Sequence, residues 1–398
     1  MKKKNSSKKN PKQKVGSNQA SIGFVRKYRI GVDARPFSTP VSGVGRLIES
    51  LISGFVKDPR FEFILFTHKE IHPSYTHLLK LPNIKVEVGK GFLAKKGGIY
   101  FALLLPIRLW KKPVDIFWGT QQVFPLFLSA DIPGVLTYHD LVAYRFPSTM
   151  RPIARYQQYF YLERSAKRAE IILANSKATA KEVSEHFEIP KDKIRVVYPN
   201  LNLETKSNSN LQVAPSSKTK NLPKKFMLSV STVEPRKNFG FLKKAYDEYR
   251  NLCKEKGWLW VHAGKAGWES PEFLKQLRKD SESGKILWID SPSDLEVQYL
   301  YSRASLFLFP SLYEGFGIPL LEALNRNLPC IVSDLEVFHE IAGKSALYLS
   351  IQDPKVWSKA MLDFTLKRKK LPKPNLKKFD RTAAVEVTKE AFLNIVKL

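Results

Sequence analysis

FLFPSLYEGFGIPLLEALNRNLPCIVSD, residues 307–334, reads as a short apolar strand, a glycine loop, an apolar helix and a second apolar strand. The first strand closes at Pro310, and the helix begins near Ile318 or Pro319, where proline suits the first turn because its missing N–H would have no partner there. Strand, helix and strand in so short a span form a parallel unit, because parallel strands need a crossover. The free N–H groups at such a helix start attract anions, and Gly315 and Gly317 let a phosphate come close to the chain around Phe316 and Ile318. Glu314 stands on the loop and Glu322 about one turn into the helix. Ionised carboxylates so placed can accept hydrogen bonds from hydroxyl groups, the one on the loop from single hydroxyls and the one on the helix from a vicinal pair. Taken alone, the same two residues equally describe surface glutamates beside a turn.

The same grammar extends in both directions. Upstream come KFMLSVST (225–232), the helical FGFLKKAYDEYRNLCKEK (239–256), WLWVHAGK (258–265), KILWID (285–290) and LFLFPS (306–311). Before them the polar, aperiodic ETKSNSNLQVAPSSKTKNLPKK (204–225) reads as a linker. An earlier series runs through YRIGVDARPF (28–37), FEFILFTH (61–68), VDIFWGTQ (114–121), GVLTYHD (134–140) and IILANS (171–176), with helical patterns between. Each run is short, rich in β-branched or aromatic residues, and closed by small or polar ones. The expectation is an α/β chain of two Rossmann-like, doubly wound domains facing a cleft, with ligands at the carboxyl ends of the strands. The parts are a disordered basic tail (1–25), a first Rossmann-like domain (26–203), a linker (204–223) and a second Rossmann-like domain (224–378). After the basic break LKRKKLPKPNLKK (366–378), a helix over 379–398 is expected to return to the first domain.

Composition narrows the function classes. A chain of 398 residues suits two domains of roughly 100–200 residues each. Its two cysteines, Cys253 and Cys330, have neither a metal-ligand spacing nor a disulfide pattern, which favours a reducing compartment. The charged start MKKKNSSKKNPKQK leads into polar residues rather than the apolar run of a signal peptide, and no apolar stretch is long enough to span a bilayer. The net charge of +29 admits nucleic acid, an anionic membrane surface or phosphorylated substrates as partners. Aromatic-interleaved basic stripes are absent, so nucleic acid is not expected.

The motif PSLYEGFGIPLLEAL resembles, in order, the E-x7-E signature of the family-4 retaining glycosyltransferases of GT-B fold, and EPRKN (234–238) resembles the phosphate loop of their mannosyltransferase-like subset. LSVSTVEPRKNFGFLKKAY (228–246) resembles that family's donor-phosphate loop, TYHDLVAYRFP (137–147) its histidine-bearing strand end, and ANSKATAKEV with VVYPN the stretch before its linker. The resemblance covers residues 28–398. It implies that Glu314 lies by the donor sugar, that Glu322 holds the ribose and that Lys237 holds the departing diphosphate, while His139 faces the sugar from the acceptor side. Bottom-up, a fixed cation at the leaving diphosphate stabilises charge as it develops. Many relatives carry an arginine six positions before that lysine; here the position is Ser231, and Arg236 is the candidate replacement. Gly43, Gly45 and Arg46 at a helix entry are candidates for contacting phosphate or acceptor. Asp140 is expected to orient His139 or to cap the next segment.

The implied reaction moves a hexosyl group from a nucleotide sugar to a glycan or lipid-linked acceptor in cell-surface polysaccharide or glycolipid synthesis, by a front-face route. The EPRKN form of the phosphate loop leans toward GDP-mannose. No metal or other cofactor is expected, since no DxD-type motif stands in these segments. The location implied is cytoplasmic, peripheral to the inner face of the cell membrane. The competing enzyme readings, an inverting GT-B transferase or a sugar-nucleotide epimerase, lack the EGFGIPLLE and EPRKN pair; a basic nucleic-acid-binding protein is the remaining class. One segment stays open: GFLAKKGGIYFALLLPIRLWKKP (91–113) reads either as a buried helix interrupted at Pro106 or as a stretch lying flat in a membrane interface.

Overall fold

The computed structural model of the chain describes residues 26–147, 152–200, 216, 219–254 and 256–397. The basic tail and most of the expected linker lie outside the described residues. Seven strands form the first sheet: β1 (Tyr28–Asp33), β2 (Phe61–Thr67), β3 (Ile84–Val88), β4 (Ile116–Gly119), β5 (Gly134–Tyr138), β6 (Ile171–Ala174) and β7 (Ile194–Val196). Their spatial order is β3-β2-β1-β4-β5-β6-β7, and every pairing is parallel. The second sheet has six strands: β8 (Phe226–Val230), β9 (Leu259–Ala263), β10 (Leu287–Ile289), β11 (Leu306–Phe309), β12 (Cys330–Ser333) and β13 (Leu347–Leu349). Its order, β10-β9-β8-β11-β12-β13, is again wholly parallel. In each sheet the chain winds outward one way, then returns to the centre and winds the other way. That reversal opens a crevice at the carboxyl ends of the central strands.

Both faces of each sheet are covered, so the strands read as continuous apolar runs. In β2, Phe61, Phe63 and Leu65 enter one core, while Ile64 and Phe66 enter the other. This follows from the two-residue period of a strand. The first core also takes the helix Gly43–Gly54 and the chain's last helix, Arg381–Val396. These two helices touch closely, for a Cβ on Gly54 would run into the Val385 side chain. Phe392, from the last helix, is fully buried among Phe55, Phe61, Phe63 and Trp118. The C-terminal segment is thus core material of the first sheet although it follows the second in sequence.

Residues 97–111 are helical throughout, with a π turn over Tyr100–Leu104 in which the Leu105 N–H donates to the Tyr100 carbonyl. Pro106, which has no N–H to give the preceding turn, is accommodated there without breaking the helix. Tyr100, Phe101, Leu105 and Leu109 are buried in the core of the first sheet, whereas Leu103, Ile107 and Trp110 are exposed. The segment is neither wholly buried nor lying free: it is apolar on two faces, and one of them is packed.

Replacing Phe392 by alanine should cost about 3–5 kcal/mol of stability, as for other large core aromatics. Urea unfolding measures it, and a loss under about 1 kcal/mol would show that the last helix is not part of the first core.

Candidate active site

The loop after β11 is shaped by backbone geometry. Gly317 precedes the helix Ile318–Asn325 with φ of 112°, a conformation that favours glycine, and Pro319 stands in the first turn. The Phe316 side chain turns away into the core of the second sheet, against Tyr198 and Phe379. Gly315 lies against the first half of the chain, where a Cβ would fall on the His139 carbonyl oxygen. Its own carbonyl accepts hydrogen bonds from Ser176 Oγ at 2.7 Å and Thr179 Oγ1 at 3.0 Å.

Glu314, beside it, is buried and fully partnered. Oε1 accepts from Lys237 Nζ at 2.5 Å and from Ser311 Oγ at 2.8 Å, and Oε2 from Arg236 Nη1 at 2.9 Å. Arg236 also donates through Nη2 to Glu234 at 2.7 Å and through Nη1 to the Tyr313 carbonyl at 2.8 Å. Burial alone would raise the Glu314 carboxyl, but the Lys237 and Arg236 charges outweigh it and hold the group at about 2. Lys237 Nζ also lies 5.2 Å from the centre of the Phe309 ring.

Adjacent side chains reach one carboxylate because they leave a tight turn. Pro235–Lys237 is a single 3-10 turn, and Asn238 follows in the left-handed region with φ of 58° before the helix Phe239–Leu252. Arg236 therefore stands on the same carboxylate as Lys237. Ser231 is hemmed in by backbone: its N–H donates to the Ala263 carbonyl, and its own carbonyl crowds Gly264.

Glu322 sits apart from Glu314, in an interdomain cleft of about 400 Å³ lined by Gly43, Arg46, Asp294, Ile318 and Glu322 among others. Arg46 Nη1 donates to Glu322 at 3.3 Å, and its Nη2 pairs with Asp294. Burial pushes the Glu322 carboxyl up, with Arg46 opposing. Gly43 faces Ile318 across the cleft, 3.0 Å from a Cβ built on it, whereas a Cβ on Gly45 would strike the Tyr75 hydroxyl. Gly45 N–H donates to Ser42 Oγ, which caps that helix.

His139 Nε2 is 2.8 Å from the Thr120 carbonyl, which can only accept, so Nε2 carries the proton. Burial lowers the imidazole's affinity for a second proton, which leaves the ring neutral with Nδ1 as acceptor. Asp140 does not touch the imidazole in this network. Its Oδ1 accepts from Val142 N–H at 3.2 Å and so begins the next short helix.

Several residues that complete the site carry no local signal. Tyr313 Oη donates to Glu182 at 2.5 Å and accepts from Leu141 N–H at 2.8 Å, tying the loop to the first half. Glu340 of the second half accepts the Lys177 and Ala178 N–H groups at the start of the helix Lys177–Phe187. Ser311, three residues before Glu314, is a partner of that carboxylate within the quoted motif, and its spacing suits a local side-chain bond.

Two wholly parallel doubly wound units meeting along such a cleft are the GT-B architecture, shared with glycosyltransferases of known structure. The lipopolysaccharide outer core galactosyltransferase WaaB in its apo form superposes with a TM-score of 0.61 at 16% identity, covering 94% of this chain and 100% of that one. The model of Glycosyltransferase Family 4 matches residues 41–205 and that of Glycosyl transferases group 1 matches residues 212–375. The chain belongs to this glycosyltransferase family. It is 29% identical over 270 residues to the O-antigen chain mannosyltransferase RfbU of Salmonella typhimurium, covering 66% of this chain and 67% of that protein. It is also 29% identical over 231 residues to the O-antigen chain mannosyltransferase B of Escherichia coli, covering 56% and 57%. The matches thus span between about half and two thirds of these relatives' lengths.

The Glu314 network predicts a pH signature. Its carboxyl lies at about 2 in the folded chain against 4.5 ordinarily, so the stabilisation is complete above about pH 4.5 and fades as pH falls toward 2. Glu314→Gln, which leaves two buried cations short of a partner, should lose about 3–5 kcal/mol at pH 7. The gap to the unaltered chain should narrow between pH 4.5 and 2; denaturation curves that stay parallel over that window would contradict the assignment.

Proposed function

We propose that the chain is a retaining hexosyltransferase that moves mannose from GDP-mannose to a glycan or lipid-linked acceptor in cell-surface polysaccharide synthesis, without a metal. The observation that carries this reading is the convergence of Lys237 and Arg236 beside a glycine loop at a helix start. Loss of a nucleoside diphosphate places negative charge on its β-phosphate, and two fixed cations in a buried setting stabilise that charge with little reorganisation. They supply the electrostatic role that a divalent cation plays elsewhere. Mannose as the sugar rests on the relatives named mannosyltransferases and on the EPRKN loop.

Each remaining residue has a task that its setting favours. Glu322, on the first turns of the helix after the loop, accepts the ribose diol once Arg46 yields it. Glu314 is ionised and engaged by three donors, which blunts it as a nucleophile and suits it to aligning the cations and the sugar hydroxyls. That favours a front-face transfer over a covalent glycosyl-enzyme. In that route the acceptor oxygen bonds to the anomeric carbon as the diphosphate leaves on the same face, and the acceptor proton passes to the departing phosphate oxygen. Neutral His139 adds an acceptor nitrogen on the side of the first domain. The O-antigen relatives support a glycan acceptor, and the cytoplasmic, peripheral location is part of the same proposal.

Purified protein offered a panel of nucleotide sugars should hydrolyse GDP-mannose fastest, and excess chelator should leave the rate unchanged. Lys237→Ala should lower kcat by about 10²–10³, the usual cost of removing one charge-stabilising donor. The transferred sugar should keep the donor's anomeric configuration by NMR. A near-normal rate in folded Lys237→Ala, or an inverted product, would refute the reading.

A further inference from the structure

Of the thirteen large hydrophobic side chains that stand exposed among the described residues, five fall within residues 92–110. They are Phe92 (76% exposed), Leu93, Leu103, Ile107 and Trp110 (78%). Such clustering marks an interaction surface, whereas single exposed apolar residues are ordinary. Leu103, Ile107 and Trp110 follow at spacings of four and three and so share one helix face. The opposite face of that helix is already spent on the core of the first sheet. A helix apolar on both sides, with one side packed, leaves the other for a partner.

The chemistry around this stripe identifies the partner. Residues 89–113 contain six cations, Lys90, Lys95, Lys96, Arg108, Lys111 and Lys112, and no carboxylate. Glu87, at the end of β3, accepts ion pairs from Arg108 and Lys112. Lys90, Lys95, Lys96 and Lys111 are left with no acidic residue in the segment to offset them. An aromatic and aliphatic stripe bordered by lysines fits the boundary between anionic headgroups and acyl chains, where apolar side chains insert and ammonium groups meet phosphates. A protein partner of acidic character would match the lysines and leave the apolar stripe unexplained.

We infer that residues 90–112 dock the enzyme on an anionic lipid bilayer. Docking there orients the catalytic cleft. The turn over 89–96 leaves the carboxyl end of β3, the same end of the sheet that faces the cleft. Arg35, just past the carboxyl end of β1, lies 3.5 Å from the centre of the Phe101 ring in the docking segment. A membrane held on this face brings a lipid-linked acceptor to the mouth of the site. The docking itself does not depend on the transfer reaction, so binding and turnover fail separately.

Flotation of the full chain with vesicles tests it, using phosphatidylcholine alone and phosphatidylcholine mixed with phosphatidylglycerol. The chain should bind the anionic vesicles and keep part of that binding in about 0.5 M salt, where charge attraction is largely screened but insertion is not. Phe92→Ser, Ile107→Ser and Trp110→Ser together should weaken binding at least about tenfold and abolish the salt-resistant part, with the thermal midpoint and donor hydrolysis unchanged. Lys95→Glu with Lys96→Glu should reduce binding at low salt through an independent change. Deleting residues 1–25 should leave the salt-resistant part in place. Three results would overturn the inference: no binding by the unaltered chain, undiminished binding by the folded triple variant, or binding lost with the tail alone.

Discussion

A carboxylate buried between two cations constrains everything near it. Taking Glu314, Lys237, Arg236 and Glu234 out of water is tolerable only while each keeps its partners, because any one left alone is a costly buried charge. The surroundings can therefore be read as the means of holding four side chains in register. β11 stops at Phe309, Gly317 takes a conformation that few residues adopt, and Ser311 reaches the carboxylate from the same loop. On the other side, the turn at Pro235–Lys237 and the left-handed Asn238 aim two neighbouring cations at one point. In the proposed reaction a diphosphate competes with Glu314 for those cations. The site is then charge-balanced before the donor arrives and needs little rearrangement when it binds.

The two halves are locked together around this network rather than merely adjacent. The Gly315 carbonyl accepts from Ser176 and Thr179, Tyr313 bonds to Glu182, and Glu340 caps a helix of the opposite half. Across the cleft, Arg46 spans Glu322 and Asp294. These two sets of contacts differ in character. The first set is made of short bonds to backbone or neutral groups, buried at Gly315, partly buried between Tyr313 and Glu182, and exposed at Lys177. The second is a more exposed ion pair, of the kind that solvent and salt weaken. In the proposed reaction the donor lies beside the more labile contact, since Arg46, Asp294 and Glu322 line the cleft, and the Gly315 side of the interface is suited to serve as the fixed edge.

Much of this was legible in the residues. Short apolar runs separated by helical patterns determine two parallel sheets, because each run is buried on both faces and cannot alternate. The E-x7-E motif and the EPRKN turn locate the carboxylates and cations, since strand ends, glycines and prolines act locally. Whether Arg236 accompanies Lys237 was not legible, because it turns on one 3-10 turn and one left-handed residue. Tyr313, Glu182 and Glu340 were invisible for a different reason: their partners lie 131 or more positions away. Periodicity marked the 91–113 segment as ambiguous, and it is ambiguous because both of its faces are apolar.

The claim at the centre of this account is that Lys237 and Arg236 receive the β-phosphate of the leaving nucleotide. Calorimetric titration of GDP against GMP tests it most directly, since the two ligands differ by that phosphate alone. The account predicts markedly tighter binding of GDP in the unaltered chain, and a preference that largely disappears in Lys237→Ala while GMP binding stays the same. Equal affinities for GDP and GMP, or a preference that survives the substitution, would contradict it.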